Sequence, residues 1–176
     1  MKDRDSRPVD ELLVMEAQDG DRGAMEKLVQ RWQKRLWFHA YRLTADPEAA
    51  WDITQQTWLA VIKGLHALHD PAKFKPWAYR IATNKALDLV KAKPAVEPLP
   101  DGPIRDMRSH WPEDDALAEQ LDRLDPDKKA ILVLHYLEDL SVAEICSVLR
   151  IPAGTVKSRL YNARNALRSL WQQDLT

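Results

Sequence analysis

A cluster of prolines divides this 176-residue sequence into two parts. Five of the eleven prolines fall within residues 94–112. Proline fixes φ, removes a backbone hydrogen-bond donor and forces the preceding residue out of the helical region. Because regular elements do not continue through such a run, the sequence predicts an extended linker at 94–112. The remaining parts, 1–93 and 113–176, are predicted to be separate domains.

Apolar residues repeat with helical spacing on both sides of this linker. In 1–93 a short helix precedes Asp19, a long helix contains Trp32, and two further helices contain Trp58 and Leu87. Residues 66–75 are predicted to be a loop between the third and fourth helices. No alternating strand pattern competes with these helices. The fold class predicted for the whole chain is therefore all-α, with a helical bundle in 1–93.

The second part contains the pattern of a helix-turn-helix unit. Ser141-Val-Ala-Glu144 fits a capping box, in which the Ser and Glu side chains satisfy free backbone amides at the start of a helix. That helix is predicted to end at Leu149, and a second helix is predicted from about Ala153 to Leu170. Two helices joined by three or four residues are the helix-turn-helix arrangement.

The last predicted helix has one apolar side and one polar side, as its angular positions show at about 100° per residue. The apolar stripe contains Val156, Leu160, Ala163 and Leu167, and Ser158, Asn162, Asn165 and Ser169 lie opposite. An ordinary solvent-exposed face is the alternative, but such faces usually carry Glu as well as Lys, and residues 151–173 contain no acid. Short hydrogen-bonding side chains flanked by cations favour a helix in the DNA major groove.

Charge is segregated along the chain, although 26 Lys and Arg against 27 Asp and Glu leave a net charge of only −1. Residues 73–93 carry six bases and one acid, whereas residues 113–144 carry ten acids and three bases. Because the Debye length at physiological salt is about 8 Å, a polyanion responds to the local patch. We expect the acidic segment to pack against the basic one in the free protein and to mask both DNA surfaces.

Several classes of protein are disfavoured by what the sequence lacks. A single cysteine, Cys146, excludes an internal disulfide framework and a Cys-rich zinc site, and we expect it to be a small buried hydrophobe. The two Gly-rich phosphate-binding motifs, GxGxxG and GxxxxGK(S/T), are both absent from the sequence. The five His form no catalytic or metal-ligating pattern. We expect no catalytic residues, no metal and no cofactor. Without a membrane-spanning run or a signal peptide, the expected location is cytoplasmic.

Three stretches of the sequence resemble one protein family. Residues 141–160, with Ala163-Arg164 and Leu167-Arg168 after them, resemble region 4 of bacterial extracytoplasmic-function (ECF) sigma factors, which belong to the sigma-70 family. Residues 74–84, with Asp88, look like region 2 of the same family, and residues 52–59 resemble its polymerase-binding helix. The order and spacing of these three stretches and the total length of the chain also agree with this family.

The resemblance implies a transcription initiation factor. Such a protein joins core RNA polymerase, directs it to promoters with −10 and −35 elements, and helps to open the duplex. The implied partners are therefore bacterial core RNA polymerase, promoter DNA and an anti-sigma factor, with no small-molecule substrate and no membrane insertion.

The resemblance also implies three sets of contact residues. Those facing the polymerase are Asp52, Gln55 and Gln56, which without the resemblance are equally well read as a solvated helix face. Those facing the −10 element are Lys73, Lys75, Arg80, Asn84 and Lys85. Those facing the −35 element are Lys157, Ser158, Arg159, Tyr161, Asn162 and Arg164. Helical spacing favours a core position for Trp77, whereas for Tyr79 both base stacking and core packing stay open.

The chain departs from the family pattern at four positions. Trp51 stands where an acid is usual, Gln56 where Glu is usual, and Asn162 where Arg is common. Arg150 replaces the glycine common in the turn, and a positive φ there would cost about 1 kcal/mol.

Two other functions compete with this one. A helix-turn-helix regulator that acts without polymerase explains 113–176 but not residues 52–56 and 74–84. An enzyme is disfavoured because no carboxylate–His cluster or nucleophile pattern occurs.

Overall fold

The computed structural model describes residues 7–92 and 115–174, which form eight α-helices and contain no strand, as predicted. The helices are α1 (Arg7–Gln18), α2 (Arg22–Thr44), α3 (Pro47–Gly64), α4 (Phe74–Ala92), α5 (Asp115–Asp122), α6 (Pro126–Leu132), α7 (Val142–Leu149) and α8 (Ala153–Asp174). Short 3₁₀ turns, Leu65–Ala67 and Pro71–Lys73, connect α3 to α4, and α6 continues into a π-helical segment, Val133–Leu137. The linker predicted at 94–112 lies outside the described residues.

Side-chain caps fix where several of these helices begin. At the start of α3, Asp46 Oδ1 accepts hydrogen bonds from the backbone N–H of Glu48 at 3.0 Å and of Ala49 at 3.1 Å. The capping box predicted for α7 is present: the Glu144 N–H donates to Ser141 Oγ at 3.2 Å, and the Ser141 N–H donates to Glu144 Oε2 at 2.9 Å. Such caps satisfy backbone donors that have no partner inside the helix.

Helices α1 to α4 form the predicted bundle around an aromatic core. Trp32, Trp37, Phe74 and Tyr79 are almost fully buried. The Trp32 ring meets Phe74 at 5.4 Å and Tyr79 at 5.9 Å between centroids, both edge to face. Such contacts add about 0.5–1.5 kcal/mol each to the free energy gained by burying the rings. These ring contacts thus hold α2 and α4 together.

The second part of the chain packs directly on the first. Helix α7 lies against α4, and α6 lies against α2 and α4. The buried apolar side chains of both parts form one continuous cluster. The contact expected between 113–144 and 73–93 is therefore present, although apolar side chains make up much of it, with a peripheral Lys91–Asp127 ion pair at 2.8 Å.

Helices α7 and α8 form the predicted helix-turn-helix. Arg150, between them, has φ 54° and ψ 45°, so the left-handed conformation that would strain a non-glycine residue at this position is present. Helix α8 runs four residues beyond its predicted end, to Asp174, where Gln120 and Arg123 of the α5 region donate hydrogen bonds to the Asp174 carboxylate. The bond from Arg123, followed by that from Gln120, lowers the pKa of Asp174.

Candidate nucleic-acid interface

Helix α8 presents its polar side to solvent. Val156, Leu160 and Ala163 are buried, which turns the opposite side of the helix outward. All six residues proposed to face the −35 element are exposed: Lys157, Ser158, Arg159, Tyr161, Asn162 and Arg164. The expectation that packing between the two parts masks this surface is therefore wrong. The parts meet through α7 and α6, which leaves the outer face of α8 open.

Two further contacts shape the α8 face. The Arg164 guanidinium donates to the hydroxyl of Tyr136 at 3.4 Å, and Tyr136 is 54% exposed on the π-helical segment. The Ser158 hydroxyl donates to the Thr155 carbonyl oxygen at 3.1 Å, so its oxygen is left to accept from DNA. The α-helical repeat of the sequence does not predict the position of Tyr136, because a π-helical turn shifts side-chain directions away from that repeat.

Helix α4 and the 3₁₀ turn before it present four of the five residues proposed to face the −10 element. Lys73 and Asn84 are exposed, and Arg80 and Lys85 are partly exposed. Lys75, in contrast, is only 8% exposed, so in this packing it cannot reach DNA.

The position of Lys75 follows from an error in the predicted loop. Residues 66–75 were expected to be a loop, but Asp70 caps a 3₁₀ turn through the Ala72 N–H at 3.1 Å, and α4 begins at Phe74. Lys75 is therefore helical and lies on the inward side with Ala78, Tyr79 and Ala82.

Packing explains Trp77 and Tyr79, the two aromatic residues of α4 whose role the sequence analysis considered. Tyr79 is 2% exposed, so its ring is part of the core rather than a platform for a base. Trp77 is partly buried, with its ring 6.2 Å from that of Phe74. Core packing was favoured for Trp77, and the question left open for Tyr79 is decided in favour of the core.

Helix α3 carries the residues proposed to contact polymerase on its outer side. Asp52, Gln55 and Gln56 are exposed, while Ile53, Thr57 and Val61 are buried. The same side also exposes three large apolar residues that sequence analysis did not select as contacts: Trp51 at 40%, Leu59 at 58% and Ile62 at 51%. The α3 face is therefore a mixed surface in which apolar side chains lie among polar ones.

One hydrogen bond connects the α3 and α4 surfaces. The Lys85 ammonium donates to Gln56 Oε1 at 3.2 Å. Gln56 is one of the four departures from the family pattern, and here its amide oxygen orients a cation of the neighbouring surface.

A buried polar cluster joins the two parts of the chain, and sequence analysis did not predict it. Glu138, 8% exposed, accepts hydrogen bonds from the Tyr79 hydroxyl at 2.6 Å and from the Arg42 guanidinium at 2.8 Å. His39 Nδ1 lies 3.2 Å from the same carboxylate, and His39 Nε2 lies 2.8 Å from the Thr83 hydroxyl. Because a carboxylate only accepts, we assign the Nδ1 hydrogen to His39.

The cluster changes the acidity of two of its members. Burial by itself raises the pKa of Glu138, but the hydrogen bond and charge of His39, the charge of Arg42 and the Tyr79 hydrogen bond together lower it. Burial, followed by the charge of Glu138, raises the pKa of Tyr79 well above its ordinary value. Glu138 is thus an ionised acceptor and Tyr79 a neutral donor at neutral pH.

Within 7–92 and 115–174, no three His, Cys, Asp or Glu side chains converge on a point that could hold a metal ion. No helix in those ranges has the length and apolar character needed to cross a bilayer. The free Cys146 is half-buried and packs against the core.

These features define a class: an all-helical protein with a helix-turn-helix whose second helix exposes a cationic polar face, beside a bundle with further polar and cationic faces. Two sequence families match the chain, Sigma-70 region 2 over residues 28–94 and Sigma-70 region 4 over residues 114–167.

Two named relatives support the same assignment. The chain is 34% identical over 167 residues to the ECF RNA polymerase sigma factor SigE of Mycolicibacterium smegmatis, covering 85% of this chain and 63% of that protein. It is 28% identical over 180 residues to the ECF RNA polymerase sigma factor SigW of Bacillus subtilis, covering 88% of this chain and 92% of that protein.

Solved structures are also similar. The chain aligns with CnrH, solved in complex with the cytosolic domain of CnrY, at a TM-score of 0.74 and 26% identity, over 94% of this chain and 98% of that one. The sigma factor RpoE of Bartonella quintana, solved with the anti-sigma factor NepR, shares the fold at a TM-score of 0.65 and 18% identity, over 84% and 96% of the two chains. The chain belongs to the ECF sigma factors of the sigma-70 family.

Proposed function

We propose that this chain binds bacterial core RNA polymerase, directs it to promoters with −10 and −35 elements, and assists promoter opening. The observation that carries the proposal is the presence of both sigma regions in one chain, each with an accessible polar surface. In this proposal residues 1–93 are region 2, residues 94–112 are the linker, and residues 113–176 are region 4.

The α8 face is proposed to bind the −35 element. Its exposed cations, Lys157, Arg159 and Arg164, are proposed to meet phosphates on either side of the groove. Asn162 and Ser158 lie between them and offer hydrogen-bonding groups to base edges. Phosphate contacts fix the position of the helix, whereas the short polar side chains supply sequence preference.

The outer side of α4, with the 3₁₀ turn before it, is proposed to bind the −10 element as a separated strand. Moving one base out of the duplex costs a few kcal/mol, which cationic and amide contacts can offset. Lys73, Arg80 and Lys85 supply positive charge, and Asn84 supplies an amide group. Lys75 is omitted from this proposal because it is buried.

The α3 face is proposed to dock on the polymerase. Exposed apolar groups such as Leu59 and Ile62, bordered by Asp52 and Gln55, have the composition of an interface with an apolar centre and a polar rim.

Sigma factors as a class are initiation factors rather than enzymes. We propose in addition that this chain has no catalytic residues of its own, acts in the cytoplasm beside its polymerase and DNA, and is held inactive by an anti-sigma factor. Support for the last point comes from the similar structures: RpoE of Bartonella quintana was solved bound to the anti-sigma factor NepR, and CnrH was solved bound to the cytosolic domain of CnrY.

In vitro transcription on a fragmented genomic library tests this function. Core polymerase with the protein is expected to produce new start sites that share a two-part upstream motif. Asp52→Ala with Gln55→Ala is expected to reduce core binding and the number of transcripts together, because both side chains are exposed and neither supports the core.

The exposed residue Glu26, on α2, provides the matched control: Glu26→Ala should leave transcription unchanged. A protein that binds duplex DNA tightly without polymerase and yields no new start sites would instead be a helix-turn-helix regulator.

A further inference from the structure

We infer that Glu138 is a polar latch that holds the two parts of the free protein closed, and that this latch must open before both promoter elements can be bound. The inference rests on the proposed function for the promoter geometry. The latch itself consists of contacts among α2, α4 and the residue that follows the π-helical segment.

The first step is the position of Glu138. It follows the π-helical segment of the second part, yet its carboxylate is bound by Arg42 and His39 of α2 and by Tyr79 of α4, all in the first part. Three donors from one part converge on one acceptor from the other. Hydrogen bonds to a buried charge are stronger than ordinary ones, and an unpaired buried charge is strongly unfavourable.

The second step is the specificity of this contact. The other cross-part ion pairs described here, Lys91–Asp127 and Arg7–Glu144, involve partly exposed groups and are screened by solvent. Apolar contacts between α4 and α7 favour closure without fixing one arrangement, whereas the Glu138 cluster is satisfied only when the parts are in register. The cluster therefore selects the closed arrangement.

Binding to both promoter elements requires the two parts of the chain to lie far apart. Elements centred about 25 base pairs apart are separated by about 85 Å at 3.4 Å per pair. A compact chain of this length has a radius of gyration of about 16 Å and is about 40 Å across. Residues 93–114 span at most about 75 Å when extended, which is enough to separate the two parts. The closed form cannot contact both elements, so the Glu138 contacts must break.

Energy transfer between two dyes on the full chain, without polymerase, tests the latch. The dyes are attached through Lys63→Cys on α3 and Ser169→Cys on α8, two exposed positions, in a Cys146→Ser background. Glu138→Gln is expected to lower the transfer efficiency and to raise the ratio of open to closed molecules at least about tenfold. Far-UV circular dichroism should show the helical content unchanged.

Asp127→Asn is the matched control, because it makes the same acid-to-amide change in an exposed pair at the same interface. It should leave the transfer efficiency at the parent value. Tyr79→Phe, which removes only the hydroxyl that donates to Glu138, should open the chain to a smaller extent.

Unchanged transfer in both Glu138→Gln and Tyr79→Phe would overturn the latch. Loss of helical content in Glu138→Gln together with a fully closed Tyr79→Phe would also overturn it, since Glu138 would then serve folding alone. Neither result would affect the sigma-factor proposal, which is tested separately by core binding and transcription.

Discussion

Arg150 holds a left-handed backbone conformation at the turn between α7 and α8, where its φ is 54°. A side chain in this conformation is strained because Cβ approaches the following carbonyl oxygen. The turn nevertheless forms, since the capping box of α7 and the buried stripe of α8 determine both helices that it joins. The strain is local and can be measured.

Replacing Arg150 with glycine is expected to stabilise the protein relative to replacing it with alanine. Both substitutions remove the exposed side chain, but only glycine relieves the backbone strain. Part of the resulting gain in free energy of unfolding is lost, because glycine has greater conformational freedom in the unfolded chain. Arg150→Gly should exceed Arg150→Ala in free energy of unfolding by about 0.5–1 kcal/mol in urea titrations. Equal stability of the two variants would show that the left-handed turn costs nothing.

Lys75 illustrates how one misplaced boundary changes the role of a residue. As part of a loop it was expected to be a DNA contact, but the cap at Asp70 starts the helix early and turns Lys75 inward. Lys73 and Lys75 are both lysines in the same basic segment, so residue type and local charge did not distinguish them. Lys73, two positions earlier, is exposed.

At the scale of elements, α8 divides its face between charge and hydrogen bonding. The division was predicted from the helical repeat, and the structure exposes every residue involved. Whether those residues contact DNA stays a prediction, and substitutions within this one helix separate the two kinds of contact.

Lys157→Ala and Asn162→Ala are expected to weaken promoter binding in different ways. Lys157→Ala should reduce affinity for all −35 sequences alike and lower the slope of log K against log salt by about 0.9, because one phosphate contact is lost. Asn162→Ala should cost about 1–3 kcal/mol on the preferred sequence and much less on a substituted one.

Both effects are measured by the binding of the holoenzyme to two DNA duplexes, one with the preferred −35 sequence and one with a substituted sequence, at several salt concentrations. Gln173→Ala, at an exposed position near the end of α8, is the control and should change neither affinity nor slope. If Asn162→Ala weakens binding to both duplexes equally, Asn162 does not select bases.

At the scale of the whole molecule, the Glu138 cluster makes stability depend on pH. Groups from both packed elements face the carboxylate: His39 and Arg42 from α2 and Tyr79 from α4. They hold the pKa of Glu138 below the ordinary value of a glutamate in the folded protein, against the opposing effect of its burial. A group with a lowered pKa stabilises the fold above its unfolded pKa, and the stabilisation is lost as pH falls through the folded pKa.

The parent protein is therefore expected to exceed Glu138→Gln in free energy of unfolding by about 2 kcal/mol at neutral pH. This difference should stay constant down to about pH 5 and then shrink as Glu138 is protonated. Urea titrations of both proteins between pH 3 and pH 7 measure it. A difference that persists undiminished at pH 3 would show that charge at Glu138 is not what stabilises the cluster.

The sequence by itself determined the helices, the α7 capping box and the outward face of α8. These features depend on hydrogen bonds and side-chain contacts within a few positions along the chain, which the apolar repeat and the cap residues record. Only the tertiary structure decided the burial of Lys75 and Tyr79, the packing of α7 on α4 and the environment of Glu138. Glu138 meets Tyr79, Arg42 and His39 across 59, 96 and 99 positions, and no local pattern encodes contacts over such separations.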